Sequence, residues 1–144
     1  MRILILNGPN LNLLGKRDKG HYGVLDLSGL EDIIRGEFID ARFEFRQSNL
    51  EGELIGWVQA AEADFDGVIL NPGGYAHTSV ALRDALAEIK IPKIEVHLSN
   101  IFAREDFRHT LITASACDGC ISGFKENSYL SAVYILLNNF KKRG

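Results

Sequence analysis

ILILNGPN, residues 3 to 10, sets four consecutive apolar side chains against a turn-forming tetrapeptide. A strand with one face in water alternates apolar and polar residues, whereas a continuous apolar run of this length fits a strand buried on both faces. Similar short runs recur at 67–70, 91–96 and 120–124, with a more alternating one at 42–45. Segments of helical period lie between them. Leu30, Ile33, Ile34 and Phe38 follow such a pattern after Ser28 and Glu31, whose spacing predicts a capping box. Leu54, Val58, Ala61 and Phe65 repeat it behind a second predicted box, Ser48 and Glu51. Residues 78–89 and 127–142 supply two further helices, the last one apolar through Val133, Tyr134, Leu137 and Phe140.

Strand and helix thus alternate along the whole chain, and the strands are too apolar to leave a face in water. A parallel sheet covered by helices on both sides is the economical solution. The expected architecture is α/β, a flavodoxin-like doubly wound five-stranded parallel sheet. No repeat, linker or low-complexity stretch divides it, so residues 1–144 read as one domain.

The chain has 144 residues, is 46% hydrophobic and 24% charged, and carries a formal net charge of -3. Nucleic acid and anionic membranes both attract a basic field, which this chain lacks, and Lys141, Lys142 and Arg143 read as a solubilised helix end. The opening apolar run is too short for a signal peptide and nothing approaches a membrane span, so the expected location is cytoplasmic. Cys117 and Cys120 form a C-x-x-C, but no second Cys or His pair completes a zinc site and apolar residues follow it. A structural reading is preferred over a redox pair.

Ligands of open parallel sheets bind at the carboxyl ends of the strands. Those ends carry Asn7-Gly8-Pro9-Asn10, then 71–77 with Asn71 and His77, then His97-Leu98-Ser99-Asn100. Each loop alone could be turn chemistry; three converging on one edge is more polarity than turns require. In 94–100, IEVHLSN, Glu95 and His97 are two apart and share a strand face. A carboxylate beside a histidine, directly or through a neighbouring ring, fixes the tautomer a general acid needs, although a structural ion pair would look the same. Arg104 and Arg108 lie four apart in AREDFR, on one face if helical, and Arg17 lies in GKRDKGHYG; guanidinium groups suit carboxylate or phosphate, and surface pairing is the plainer alternative. No P-loop, dinucleotide fingerprint, nucleophile elbow or metal-ligand cluster joins them, so no cofactor and no metal are expected.

Three segments, NGPNLNLLGKRDKGHYG, NPGGYAHTSVALRDAL and IEVHLSNIFAREDFR, resemble the type II 3-dehydroquinate dehydratases. The match runs through most of the chain. The resemblance implies a flavodoxin-like, cofactor-independent hydro-lyase of the shikimate pathway that converts 3-dehydroquinate to 3-dehydroshikimate through an enolate. Carried over by position, Tyr22 is the base, Arg17 stands beside it in a closing loop, His97 is the acid and Glu95 supports it. Asn10 helps hold a water on the enolate oxygen. Asn71 with the backbone N–H groups of Leu98 and Ser99 holds the substrate carboxylate, and His77 and Arg108 meet ring hydroxyls. Arg104 helps close the loop, Asp84 reaches a neighbouring subunit's site, and the assembly is a homododecamer built of trimers.

A tyrosine base with an ordinary pKa of ~10 needs a shift of roughly three units to ionise at neutral pH. One adjacent cation supplies ~1 to 3 units, so Arg17 is expected to have help, Arg104 first. Imine chemistry finds no suitable lysine, since Lys93 sits near the start of its strand. The chain departs from the family pattern at Lys19, where proline is common, at Ala76, a frequent threonine, and at Lys125 and Ser128, usually glycines. The non-catalytic alternative is a flavodoxin-like module that binds a small anion with the same edge residues.

Overall fold

The structure, a computed structural model, describes residues 1–16 and 25–140. Its strands are β1 (Arg2–Asn7), β2 (Arg42–Gln47), β3 (Gly67–Asn71), β4 (Lys93–His97) and β5 (Gly119–Ser122), all parallel, in the order β2-β1-β3-β4-β5. The helices between and after them are α1 (Leu27–Glu37), α2 (Glu51–Asp64), α3 (Val80–Glu88) and α4 (Glu126–Asn139). Strand direction and order give the doubly wound sheet expected from the alternation of runs. None of the described helices is long and apolar enough to cross a membrane.

Alternation along the inner strands divides their apolar side chains between two cores. Ile3, Ile5, Ile69, Ile94 and Val96 face α1 and α4, against Leu30, Ile34, Val133 and Leu136. Leu4, Leu6, Val68 and Leu70 face α2 and α3, against Leu54, Val58, Leu82 and Leu86. Each buried aliphatic side chain contributes about 1.5–3 kcal/mol relative to exposure. Both cores must fill before the carboxyl edge of the sheet is held still.

Several local expectations shift by a turn. Ser28 does not cap α1: Asp26 does, its carboxylate accepting from Gly29 N at 2.8 Å, and its charge also favours the positive helix end. Ser48 likewise stops short of capping α2 and accepts from Leu50 N at 2.9 Å, a local turn ahead of the helix. Ser79 caps α3. β4 starts at Lys93 rather than 91, because Pro92 precedes it, and β5 ends before Gly123, whose φ of 98° turns the chain. The buried face of α4 is Tyr129, Ala132, Val133 and Leu136, so Tyr134 points outward at 61% exposure. Residues 129, 132, 133 and 136 follow the i, i+3, i+4, i+7 spacing that identifies this face.

The two departures near the end have opposite physical signs. Lys125 holds φ 53° and ψ -132°, a conformation that suits glycine. Ser128 is fully buried and its hydroxyl accepts from Phe124 N at 3.1 Å, satisfying a donor that glycine would leave unmatched. Lys125→Gly should therefore raise the unfolding free energy by about 1 kcal/mol, from relieved backbone strain. Ser128→Gly should lower it by about 1 kcal/mol or more. Urea denaturation of the two variants checks both directions.

Candidate active site

The sheet order reverses between β1 and β3, and the loops leaving those strands pack against each other there. Gly8 makes this possible, since a Cβ on it would stand 2.5 Å from the Pro72 carbonyl oxygen. Gly73 does the same from the other side, with φ 59° and a hypothetical Cβ 2.9 Å from the Pro9 carbonyl. Gly8 N donates to the Asn71 carbonyl at 2.7 Å, which ties the two loops together.

Asn10 follows in the left-handed region, φ 69° and ψ -6°, which asparagine tolerates better than most residues. Its N–H donates to Asn49 Oδ1 at 2.9 Å, and Gln47 Nε2 donates to both Asn49 Oδ1 and the Gly8 carbonyl. The end of β2 therefore sets the position of Asn10. Asn71 is fixed by a different route. Its Nδ2 donates to the Tyr129 hydroxyl at 3.0 Å, which donates onward to Asn7 Oδ1 at 2.6 Å, while Asn71 Oδ1 accepts from Gly73 N. Burial pushes the Tyr129 phenol above its ordinary pKa, so this relay stays protonated. The bonds decide which way the Asn71 amide faces, with one Nδ2 hydrogen left over.

β4 delivers the ionisable pair. Ile94 and Val96 belong to the α1/α4 core, so Glu95 and His97 fall on the opposite face. Their contact is direct: His97 Nε2 and Glu95 Oε2 are 2.8 Å apart, with Glu95 at 0% and His97 at 6% exposure. A carboxylate accepts, so Nε2 carries the proton and Nδ1 is the nitrogen left to act. The other carboxylate oxygen, Oε1, accepts from the hydroxyl of Thr113, itself fully buried. Lys93, at the amino end of the same strand, donates from Nζ to the Ile89 carbonyl at 2.8 Å, away from this edge.

His77 stands across from the pair, its ring stacked on His97 with centroids 6.4 Å apart. His77 Nδ1 meets the Thr110 carbonyl at 2.9 Å; a carbonyl only accepts, so Nδ1 is the donor and Nε2 remains for a ligand. The arginine segment is not one helix. Two 3₁₀ turns, Ile101–Ala103 and Asp106–His109, flank an extended Arg104. Arg104 Nη1 reaches Ser99 Oγ at 3.4 Å, and Arg108 Nε donates to Glu105 Oε2 at 2.5 Å. That bond holds the Glu105 carboxyl below its ordinary pKa. The surface-pairing alternative thus describes part of both arginines, since Arg104 Nε also lies 3.9 Å from Glu105 Oε2, and both guanidinium groups still border the cavity.

One cavity of about 110 Å³ is lined by Asn10, Asn71, His77, His97, Leu98, Ser99, Arg104 and Arg108. Glu95 stands behind His97. Asp84 is not there: it lies on α3 with its side chain 63% exposed, paired with Arg83 at 3.2 Å. Arg17, Lys19 and Tyr22 lie outside the described residues. A larger groove of about 920 Å³ opens at the opposite, amino end of the sheet, bordered by Phe38, Ile39, Phe65 and Ile91. Its polar lining is Glu37, Asp40, Glu62, Asp66, Lys90 and Asn138, with no imidazole and no guanidinium among the described residues, so the smaller cavity is where the chemistry converges. Two guanidinium groups, two imidazoles and an oriented amide fit a small hydroxylated anion.

Sequence reasoning missed Thr113, Tyr129, Gln47 and Asn49. Only Tyr129 had a legible signal, its place on the buried face of α4. The C-x-x-C thiols are both free, and burial together with Glu95 pushes Cys120 up to about 12 and Cys117 higher still, which keeps both protonated and unreactive at neutral pH unless a cation displaces the proton.

A family model described as Dehydroquinase class II matches residues 1–137. A 3-dehydroquinate dehydratase of Clostridium perfringens is 48% identical over 146 aligned positions, covering 99% of this chain and 100% of the relative. The crystal structure of a type II dehydroquinase from Butyrivibrio crossotus superposes with a TM-score of 0.92 at 43% identity, covering 96% of this chain and 98% of that one. One from Propionibacterium acnes gives 0.88 at 38% identity, with 94% of each chain covered.

Thr113→Val should leave Glu95 Oε1 buried without its donor and lower the unfolding free energy by about 1–3 kcal/mol, whereas Thr113→Ser should retain most of it. Chemical denaturation of the pair of variants measures the difference.

Proposed function

Because this chain belongs to the class II dehydroquinase family, we propose that it removes water from 3-dehydroquinate to give 3-dehydroshikimate, with Tyr22 as base and His97 as acid. The observation that carries the reading is the direct His97–Glu95 hydrogen bond at the rim of a cavity bordered by Arg104 and Arg108. In this mechanism Tyr22 takes a proton from the carbon next to the ketone, and the electron pair is held as an enolate. Collapse of the enolate expels the hydroxyl one carbon further on. His97 gives that oxygen a proton from Nδ1, and it leaves as water. Glu95 then faces an imidazole that has lost a proton, with Nε2–H still donating to it.

The remaining residues take the following roles in this reading. Asn71 offers its spare Nδ2 hydrogen to the substrate carboxylate, in an orientation fixed by Tyr129 and Gly73. The N–H groups of Leu98 and Ser99 join it. Asn10 holds a water on the enolate oxygen, an electrostatic role of the oxyanion kind. His77 accepts a ring hydroxyl at Nε2, and Arg108 donates to another. Arg17, helped by Arg104, lowers the pKa of Tyr22, and Arg104 draws the loop closed. Asp84 serves a neighbouring subunit, a role consistent with its outward position on α3. The assembly is a homododecamer of trimers in the cytoplasm, acting in the shikimate pathway, and sedimentation of the purified protein reads its size.

Dehydration creates a conjugated enone, so ultraviolet absorbance on 3-dehydroquinate follows the reaction. His97→Ala and Tyr22→Phe should each lower kcat by about 10²–10⁴-fold. Wild-type turnover in either variant contradicts the assignment. Arg17→Ala should move the acidic limb of the pH–rate profile to higher pH, because losing the cation raises the pKa of a base that must be ionised. An unmoved limb contradicts the role given to Arg17.

A further inference from the structure

In the register of β4 and β5, Glu95 is paired with Cys120, so the two side chains share a face of the sheet. His97 is two residues along on that same face. One ligand atom from each of Glu95, His97 and Cys120 lies within 4.8 Å of the others. We propose that these three residues form a binding site for a thiophilic divalent ion of the zinc type, and that occupancy switches the enzyme off. The inhibitory half rests on the dehydratase reading; the binding half does not.

The donor set decides the class of ion. A thiolate, an imidazole and a carboxylate suit zinc or cobalt, whereas magnesium and calcium take oxygen ligands alone. Tetrahedral zinc with bonds of about 2.0–2.3 Å sets its ligand atoms roughly 3.3–3.8 Å apart, so the Glu95–His97 pair, now 2.8 Å apart, opens by about 0.5–1 Å while the thiol, within 4.8 Å of both, swings in to meet them. Cys120 lies on the edge strand and is exposed, which gives the ion a path that avoids the substrate cavity. Thr113 already donates to the carboxylate oxygen that His97 does not use, and that bond orients Glu95 as a ligand. Cys117 is turned elsewhere, its thiol directed at the Thr113 carbonyl at 3.7 Å.

Binding exchanges protons for metal. The ion replaces the thiol proton of Cys120 and the Nε2 proton of His97, and both are released to water. The metal charge is then balanced by one thiolate and one carboxylate. His97 loses its hydrogen bond to Glu95, and with the ring held on a metal it no longer serves as the acid. This is not a cofactor site, since filling it removes a group the reaction uses.

The test uses the purified full-length enzyme with Co²⁺ and Zn²⁺ as probes. Co²⁺ should give a thiolate-to-metal charge-transfer band, and Zn²⁺ should abolish both that band and the turnover, with a chelator restoring the turnover. Cys120→Val should keep its basal turnover, lose the band, and bind Zn²⁺ at least about tenfold more weakly by calorimetry. Cys117→Ser should keep both the band and the inhibition. Equal metal affinity in Cys120→Val, or loss of the band in Cys117→Ser, overturns the proposal. A metal-bound enzyme with undiminished turnover overturns the inhibitory half. If the protein shows no dehydratase activity at all, the spectral and calorimetric results still decide the binding half.

Discussion

Everything at the carboxyl edge of this sheet depends on keeping a carboxylate, Glu95, fully out of water. An isolated buried charge costs several kcal/mol, and the structure offsets that cost with two donors, His97 Nε2 on one oxygen and the Thr113 hydroxyl on the other. Both donors are fixed by the fold. His97 is two residues along the same strand, and Thr113 comes from the 3₁₀ turn Thr113–Ala116 that contacts both α3 and β4. A carboxylate held this way orients the imidazole ring and points its free nitrogen at the cavity.

The facing wall is organised by a second constraint, the closeness of the loops after β1 and β3. Gly8 and Gly73 let the two backbones touch, and this brings Asn10 and Asn71 to the same cavity. Neither asparagine is left to choose its orientation. The Asn71–Tyr129–Asn7 relay crosses from β3 to α4 and back to β1, while Asn49 accepts from Asn10 N and is itself held by Gln47 at the end of β2. The polar edge is therefore supported by β1, β2, β3, β4 and α4, and its rigidity is a consequence of the two packed cores below it.

Much of this was legible because strands buried on both faces are apolar throughout, and because the period-2 spacing of Glu95 and His97 survives any small error in strand ends. The same simplicity failed at helix ends. Ser28 looked like a cap, but Asp26 was two residues nearer the true start; Tyr134 looked like core, but the apolar face of α4 runs through Tyr129 and Val133. Contacts between residues distant in sequence left no local trace. Thr113 is 18 residues from Glu95, and Tyr129 is 122 residues from Asn7. Among the described site residues, Asp84 lies on α3 away from the cavity, with its side chain exposed.

Lys125 and Ser128 show how the chain keeps a glycine-type turn without the glycines: one residue adopts the strained conformation, and the other supplies a hydroxyl to the exposed donor. The turn is tied to the end of β4, with Gly123 N donating to the His97 carbonyl at 3.2 Å and Lys125 N to the Leu98 carbonyl at 2.9 Å, while the centre of the proton chemistry is the Glu95–His97 bond. Steady-state kinetics of Glu95→Gln on 3-dehydroquinate test that bond most directly, because the amide keeps the shape and removes the charge. The account predicts that kcat falls by about a hundredfold or more while KM stays near the wild-type value. Wild-type kcat in this variant would contradict it.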